Sequence, residues 1–225
     1  MAPQENPEEL KSELIARLET VLEEMGRLEI PASADMPRLD LYMDQVTTVL
    51  EGALKDAGRK PDQDKVLTKT MINNYAKDGL LIPPVKKKYT PDHMLLLTAI
   101  YYLKNILTIN DVEQILSPLK EAAFTEEQRG EKVRRRARSE SQEPERGKTV
   151  SFREVYDCLA ERAARQKERT AKDVLGMAEE AGEAFPSGGD GGMMERLAFI
   201  IAMSTDIYVR KLILERMLDL ENPEQ

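Results

Sequence analysis

Apolar positions along this chain recur mostly at steps of three and four, the spacing that collects side chains on one face of a helix. Leu10, Leu14, Leu18, Val21, Leu22, Met25 and Leu28 do so among glutamates and arginines, which predicts an amphipathic helix from Pro7 to Leu28, weakened in its last turn by Gly26. Pro31 and Pro37 predict an extended connection, because a proline disfavours the helical region in the residue before it. A second helix is expected from about Asp40 to Leu54, with Leu41, Val46, Val49, Leu50 and Ala53 toward a core. Lys55 to Asp64 holds Gly58 and Pro61 among polar residues and reads as a loop.

The pattern tightens after Val66. Thr68 is a suitable N-cap for a short helix whose apolar face is Met71, Ile72 and Tyr75 and which closes at Gly79. Pro83 and Pro84 prevent its continuation, and Val85 to Thr90 reads as a compact basic hairpin. Thr90-Pro91-Asp92 signals a new helix: threonine as N-cap, proline at the first helical position and a carboxylate at the positive end of the dipole. That helix carries Met94, Leu95, Leu97, Ile100, Tyr101, Leu103 and Ile106 over much of its circumference, so it is expected to be the most buried element. Thr108 to Asp111 looks like a further cap, leading into a short helix with Val112, Ile115 and Leu116 that ends before Pro118.

Between Thr125 and Thr149 apolar residues give way to arginine, lysine, glutamate and serine, a composition that cannot bury enough surface to offset the entropy of ordering. A flexible linker and a domain boundary are expected there. Beyond it Phe152, Val155, Tyr156, Leu159 and Ala163 form one helical stripe that extends toward Val174, Leu175 and Met177. Ser187 to Gly192 reads as a turn. The last helix, Met194 to Leu220, begins almost wholly apolar and must pack inside its own domain or against another chain. The expected segmentation is an N-terminal helix with its connection over 1–39, a compact domain over 40–124, a linker over 125–150 and a C-terminal helical region over 151–225.

Composition supports an all-α chain: one third of the residues are charged, none is tryptophan, and few are aromatic. A formal net charge of -8 argues against coating nucleic acid or an anionic membrane over the whole surface. Yet from Lys65 to Lys104 seven lysines stand against two aspartates, so positive charge is concentrated in one unit. Cys158 is the sole cysteine, which excludes an intrachain disulfide and makes a poor metal site. The start of the chain lacks the basic and apolar run of a signal peptide, and its apolar stretches fall short of a membrane span. A cytoplasmic protein without a membrane anchor is expected.

Helix, glycine stop, basic loop and helix, in that order, suggest a winged helix-turn-helix. Thr70 to Leu81, then Lys88-Tyr89 and Asp92-His93-Met94, resembles the head of MerR-type regulators, where a recognition helix ends in tyrosine and Gly-Leu and a wing carries a basic residue followed by tyrosine. Leu107 to Val112 resembles that family's next turn and helix. Thr68 to Tyr89, with Asp40 to Val46 before it, is closer still to an uncharacterised bacterial family regarded as MerR-like. The resemblance spans roughly Asp40 to Leu116. It implies a winged head with a small wing, flanked by helical N- and C-terminal regions. It also implies double-stranded DNA as partner, with Thr70, Asn73, Asn74 and Lys77 on the DNA-facing helix and Lys88 and Tyr89 on phosphates. Lys86 and Lys87 join them as wing lysines. Two departures stand out: Asn73 replaces the arginine usual in MerR relatives, and the loop from Lys55 to Val66 exceeds an ordinary helix-turn-helix turn.

Several residues admit two readings. Asn73 and Asn74 could pair bidentately with adenine, or serve as caps or solvent-facing polar groups. Tyr75 fits the core better than a contact, and Gly79 fits a left-handed C-cap. His93, alone of its kind and in a first turn, fits a surface role better than metal binding or catalysis. Cys158, on an apolar stripe, fits a small core residue. The basic run Lys132 to Arg138 is usually solvated linker, though it could add loose phosphate contacts. No paired carboxylates in a cleft, phosphate-binding glycine motif or activated nucleophile is recognisable, so neither catalysis nor a cofactor or metal is expected. The favoured function is a DNA-binding regulator, expected as a homodimer reading a palindromic site. The alternative is an adaptor that keeps the winged fold and binds a protein partner through its C-terminal helices.

Overall fold

The computed structural model describes residues 13–60, 65–123, 151–185 and 191–221, and these are mostly helical. In chain order the described residues form α1 (Glu13–Met25), β1 (Leu41–Tyr42), α2 (Met43–Leu54), α3 (Lys69–Lys77), β2 (Lys88–Tyr89), α4 (Pro91–Leu103), α5 (Ile109–Ala123), α6 (Phe152–Ala184) and α7 (Gly191–Glu221). Short 3-10 turns occupy Ser33–Asp35 and Lys55–Ala57. The chain divides into two units: Glu29–Ala163, and Met1–Leu28 together with Ala164–Gln225. This division differs from the segmentation expected at 39/40 and 150/151, because its second boundary falls within α6. The expected linker over 125–150 lies outside the described residues.

In the unit from Glu29 to Ala163, local signals set the helix starts. Thr68 caps α3 by accepting the Met71 N–H at 3.2 Å. Thr108 and Asp111 form a reciprocal box: Asp111 accepts from the Thr108 N–H at 3.1 Å, and the Thr108 hydroxyl accepts the Asp111 N–H at 3.3 Å. Ser151 and Glu154 repeat the device at the start of α6, at 2.8 and 3.2 Å, and these bonds hold the exposed Glu154 carboxyl below its ordinary pKa.

The core forms where these helices meet. α2 packs on α3, on α4 and on β2, and α5 packs on α4. Val46, Leu50 and Leu54 of α2 meet a core that includes Ile72, Leu80, Leu81, Val112 and Leu116. α4 buries eight residues between His93 and Tyr101, including Leu96 and Thr98, in agreement with its all-round apolar pattern. Thr98 can be buried because its hydroxyl donates to the Met94 carbonyl at 3.0 Å.

Some local expectations fail within this unit. α5 does not stop before Pro118 but continues through it to Ala123. A proline removes one intrahelical bond, and here a tertiary contact holds the turn beyond it: buried Lys120 donates from Nζ to the Gly79 carbonyl at 2.8 Å. Cys158 is exposed, not a core residue. Phe152 and Tyr156 point the opposite face of α6 inward, so a position two residues past Tyr156 turns outward.

The first turns of α6 dock on this same unit. The Asp157 carboxylate accepts from the Ser33 N–H at 2.7 Å and from its hydroxyl at 2.6 Å, and the Tyr156 hydroxyl donates to the Pro31 carbonyl at 2.9 Å. Arg153 Nε pairs with Asp92 at 3.1 Å.

The other unit joins α1 to the rest of α6 and to α7. Its buried side chains include Leu14, Val174, Ala178, Ala181 and Leu218. Lys167 donates to the Gly26 and Leu28 carbonyls, both at 2.9 Å, and so closes the C-terminal end of α1. Arg196 of α7 pairs with Glu13 of α1 at 3.5 Å. Among the described residues no helix is long and apolar enough to cross a membrane.

Candidate nucleic-acid interface

α3 is nine residues long, and its two buried side chains, Ile72 and Tyr75, define its inner face. Thr70, Asn73, Asn74 and Lys77 follow one another at steps of three, one and three, which places them on a single stripe, and all four are exposed. The four helix residues expected to read bases are therefore brought together on the outward side. Tyr75 is a core residue, and burial raises its hydroxyl pKa.

The helix ends where the glycine stop predicts. Gly79 sits at φ +84°, a left-handed conformation in which a side chain would be strained. The Leu81 N–H closes back on the Tyr75 carbonyl at 2.9 Å. Lys120 adds a positive charge on the Gly79 carbonyl at this end, favourable to the negative pole of α3.

The wing is a tight turn. The Lys88 N–H donates to the Val85 carbonyl at 3.0 Å, and the two residues between, Lys86 and Lys87, have φ of 51° and 63°. Positive φ at both central positions makes this a primed turn, whose twist matches a hairpin and which ordinarily takes Asn-Gly. Lysine there costs roughly 1 kcal/mol or more per residue in backbone strain. Lys86, Lys87 and Lys88 are all exposed.

One arm of the wing is β2, which pairs antiparallel with β1: Leu41 faces Tyr89 and Tyr42 faces Lys88. Side chains alternate across a strand, so these two pairs take opposite faces. Leu41 and Tyr89 turn inward, while Tyr42 and Lys88 turn outward, with Lys88 Nζ 5.8 Å from the Tyr42 ring centroid. Tyr89 is thus corrected from a surface contact to a core residue, only 3% exposed. Its ring packs edge-on against His93 at 5.5 Å, and burial raises its pKa. The exposed aromatic beside the wing is Tyr42, which sequence reasoning missed because no local signal pairs residue 42 with residue 88. Lys69, at the start of α3, forms an ion pair with Asp44, two residues after Tyr42. This exposed pair links the first turn of α3 to the first turn of α2, which follows β1 directly.

His93 is fully buried, not at the surface. Its Nδ1 receives the Thr90 N–H at 3.0 Å and lies 2.8 Å from the Thr90 hydroxyl, which leaves the proton on Nε2, 3.1 Å from the Ile82 carbonyl. One neutral ring thus links both ends of the segment Ile82 to Thr90 that contains the wing. Burial lowers its pKa to about 4, against smaller upward pulls from the Ile82 hydrogen bond and the charge of Asp40. The long loop before α3 contains the 3-10 turn at Lys55–Ala57, and Glu51 accepts the Val66 N–H at 3.3 Å where it rejoins the core.

Together these elements define a mostly helical unit with a short polar helix, a strained basic turn and a buried polar latch beneath the turn. Residues 31–136 match the family model described as "Domain of unknown function (DUF1836)", a stretch that takes in β1 through α5. No curated protein and no solved structure matches the chain.

Proposed function

We propose that the unit from Glu29 to Ala163 is the DNA-binding head of a transcriptional regulator of MerR-like, winged helix-turn-helix type. The observation that carries this reading is the wing turn, where two lysines occupy left-handed positions that glycine or asparagine would fill without strain. Strain of this kind persists where the side chains are needed, and two ammonium groups at an exposed tip suit phosphate oxygens. The outward stripe Thr70, Asn73, Asn74 and Lys77 supports it, since asparagine amides match the donor and acceptor edge of adenine in the major groove. Tyr42 joins the contact set through Lys88, and Tyr89 leaves it.

The test is a fluorescence-anisotropy titration against a pool of double-stranded DNA at two salt concentrations. Binding that weakens with salt is expected, and Lys86→Glu/Lys87→Glu/Lys88→Glu should nearly abolish it, with the log–log salt slope shallower by roughly 0.9 for each phosphate no longer neutralised. Unchanged affinity and slope in the triple variant would remove the wing from the interface. Absence of binding even at low salt would favour the adaptor reading, for which the exposed apolar residues of α7 are the supporting observation.

A further inference from the structure

The outward stripe of α3 lies opposite the buried Ile72 and Tyr75. At about 100° per residue, Thr70, Asn73, Asn74 and Lys77 share an arc of about 100°, so a single approach presents all four to one surface. The fold itself gives these side chains no task. The N-cap of α3 is Thr68 and its C-cap is Asp78, so neither asparagine caps the helix. Among the described residues no hydrogen bond or ion pair holds any of the four side chains, whereas Lys69 beside them is paired with Asp44. Asparagine is also a poor helix former, because its amide competes for nearby backbone groups. Two of them nevertheless stand in succession in the middle of a nine-residue helix, with both amides turned outward.

The residue types select among bases. In the major groove adenine presents the N7 acceptor beside the N6 donor, which one asparagine amide meets with two hydrogen bonds. Thymine presents a methyl group that a threonine methyl covers. Guanine is met by arginine or lysine, and cytosine by a carboxylate. Between Thr70 and Asn74 the stripe carries neither a cation nor a carboxylate, and Lys77 lies about one turn further on, at the end of the helix. The rise from Thr70 to Asn74 is about 6 Å, less than two base-pair steps of about 3.4 Å, so the three groups reach neighbouring pairs.

We propose that α3 reads a short run of consecutive A·T pairs, with Asn73 and Asn74 each bonded to an adenine through N6 and N7 and the Thr70 methyl set against a thymine methyl. The inference rests on the winged unit binding duplex DNA and adds the bases that it prefers.

Selection by the full chain from a random library of duplexes, followed by anisotropy titration of the winning duplex, tests it. The winner is expected to carry adjacent A·T pairs at a fixed position. Replacing an adenine there by 7-deazaadenine removes the N7 acceptor and keeps the base pair, and should weaken binding by about tenfold, within the range for loss of a bidentate contact. In Asn73→Ala/Asn74→Ala, whose alanines favour the helix, binding should fall and the 7-deazaadenine effect should vanish, while the salt dependence supplied by the wing lysines remains. A winner without adjacent A·T pairs, or a 7-deazaadenine effect that persists in the double variant, overturns the proposal and leaves the winged unit a DNA-binding head. Salt-sensitive binding with no base preference does the same. No binding to any duplex at low salt overturns the DNA reading itself, and this inference with it.

Discussion

α4 and α7 carry the same signal in their sequences and meet different fates. α4 over its length, and α7 from Leu197 to Met203, run apolar around much of the circumference, as helices with protein on every side do. α4 is enclosed by α2, α5 and β2, and Met94, Leu95, Leu96 and Leu97 have no exposed surface. α7 packs one face in its own unit and leaves Ile200, Ile201 and Ile207 each 57% exposed. An all-round apolar helix therefore states a demand for partners without saying whether the same chain supplies them.

The largest expected effect separates the two helices directly. Leu97→Ala should destabilise the chain by about 2–5 kcal/mol, the transfer and cavity cost of a closed core, at any protein concentration. Ile200→Ala, on a face left 57% exposed, should cost no more than about 0.5–1 kcal/mol. Urea midpoints of the two variants measure both. Equal losses would break the comparison.

A second prediction concerns the polar group that α4 encloses. His93 has its pKa lowered to about 4 from an ordinary value of 6.5, so the folded state holds fewer protons than the unfolded chain between those limits. Its contribution is therefore fully present above pH 6.5 and is lost as the pH falls toward 4, on the order of 3 kcal/mol in all. Stability of wild type and His93→Asn, compared from pH 7 to pH 5, isolates this share. Parallel curves would mean that the ring is not held neutral by burial.

The smallest effect lies on the wing. Lys86→Asn/Lys87→Gly relieves both left-handed lysines and should raise stability by about 1–2 kcal/mol while weakening any DNA binding. Thermal melting and the anisotropy titration read the two signs. A variant that gains stability and binds as tightly as wild type would show that the strained lysines serve no contact.

Much of the head is legible from its residues alone. Caps at Thr68, Thr90 and Thr108, the glycine stop at Gly79 and the outward stripe of α3 depend on residues within about four positions of one another. The exposure of Thr70, Asn73, Asn74 and Lys77 follows from that periodicity. Tyr89 and Tyr42 are not legible in this way, because their faces are set by pairing between strands far apart in the chain. His93 is misplaced by sequence reasoning for a related reason: the Ile82 carbonyl, brought to Nε2 by the fold, joins the nearby Thr90 at Nδ1 and makes burial of an imidazole tolerable.

The helices, their starts and the concentration of lysine in one unit are written in the order of residues, since periodicity, capping and charge are properties of neighbours. Which of two apolar helices is enclosed, the survival of α5 through Pro118 by way of the Lys120 bond to Gly79, and the return of α6 to Ser33 through Asp157 are all settled only in three dimensions. Burial is a property of what lies across the fold, and the partners that create it stand tens of residues away along the chain or more.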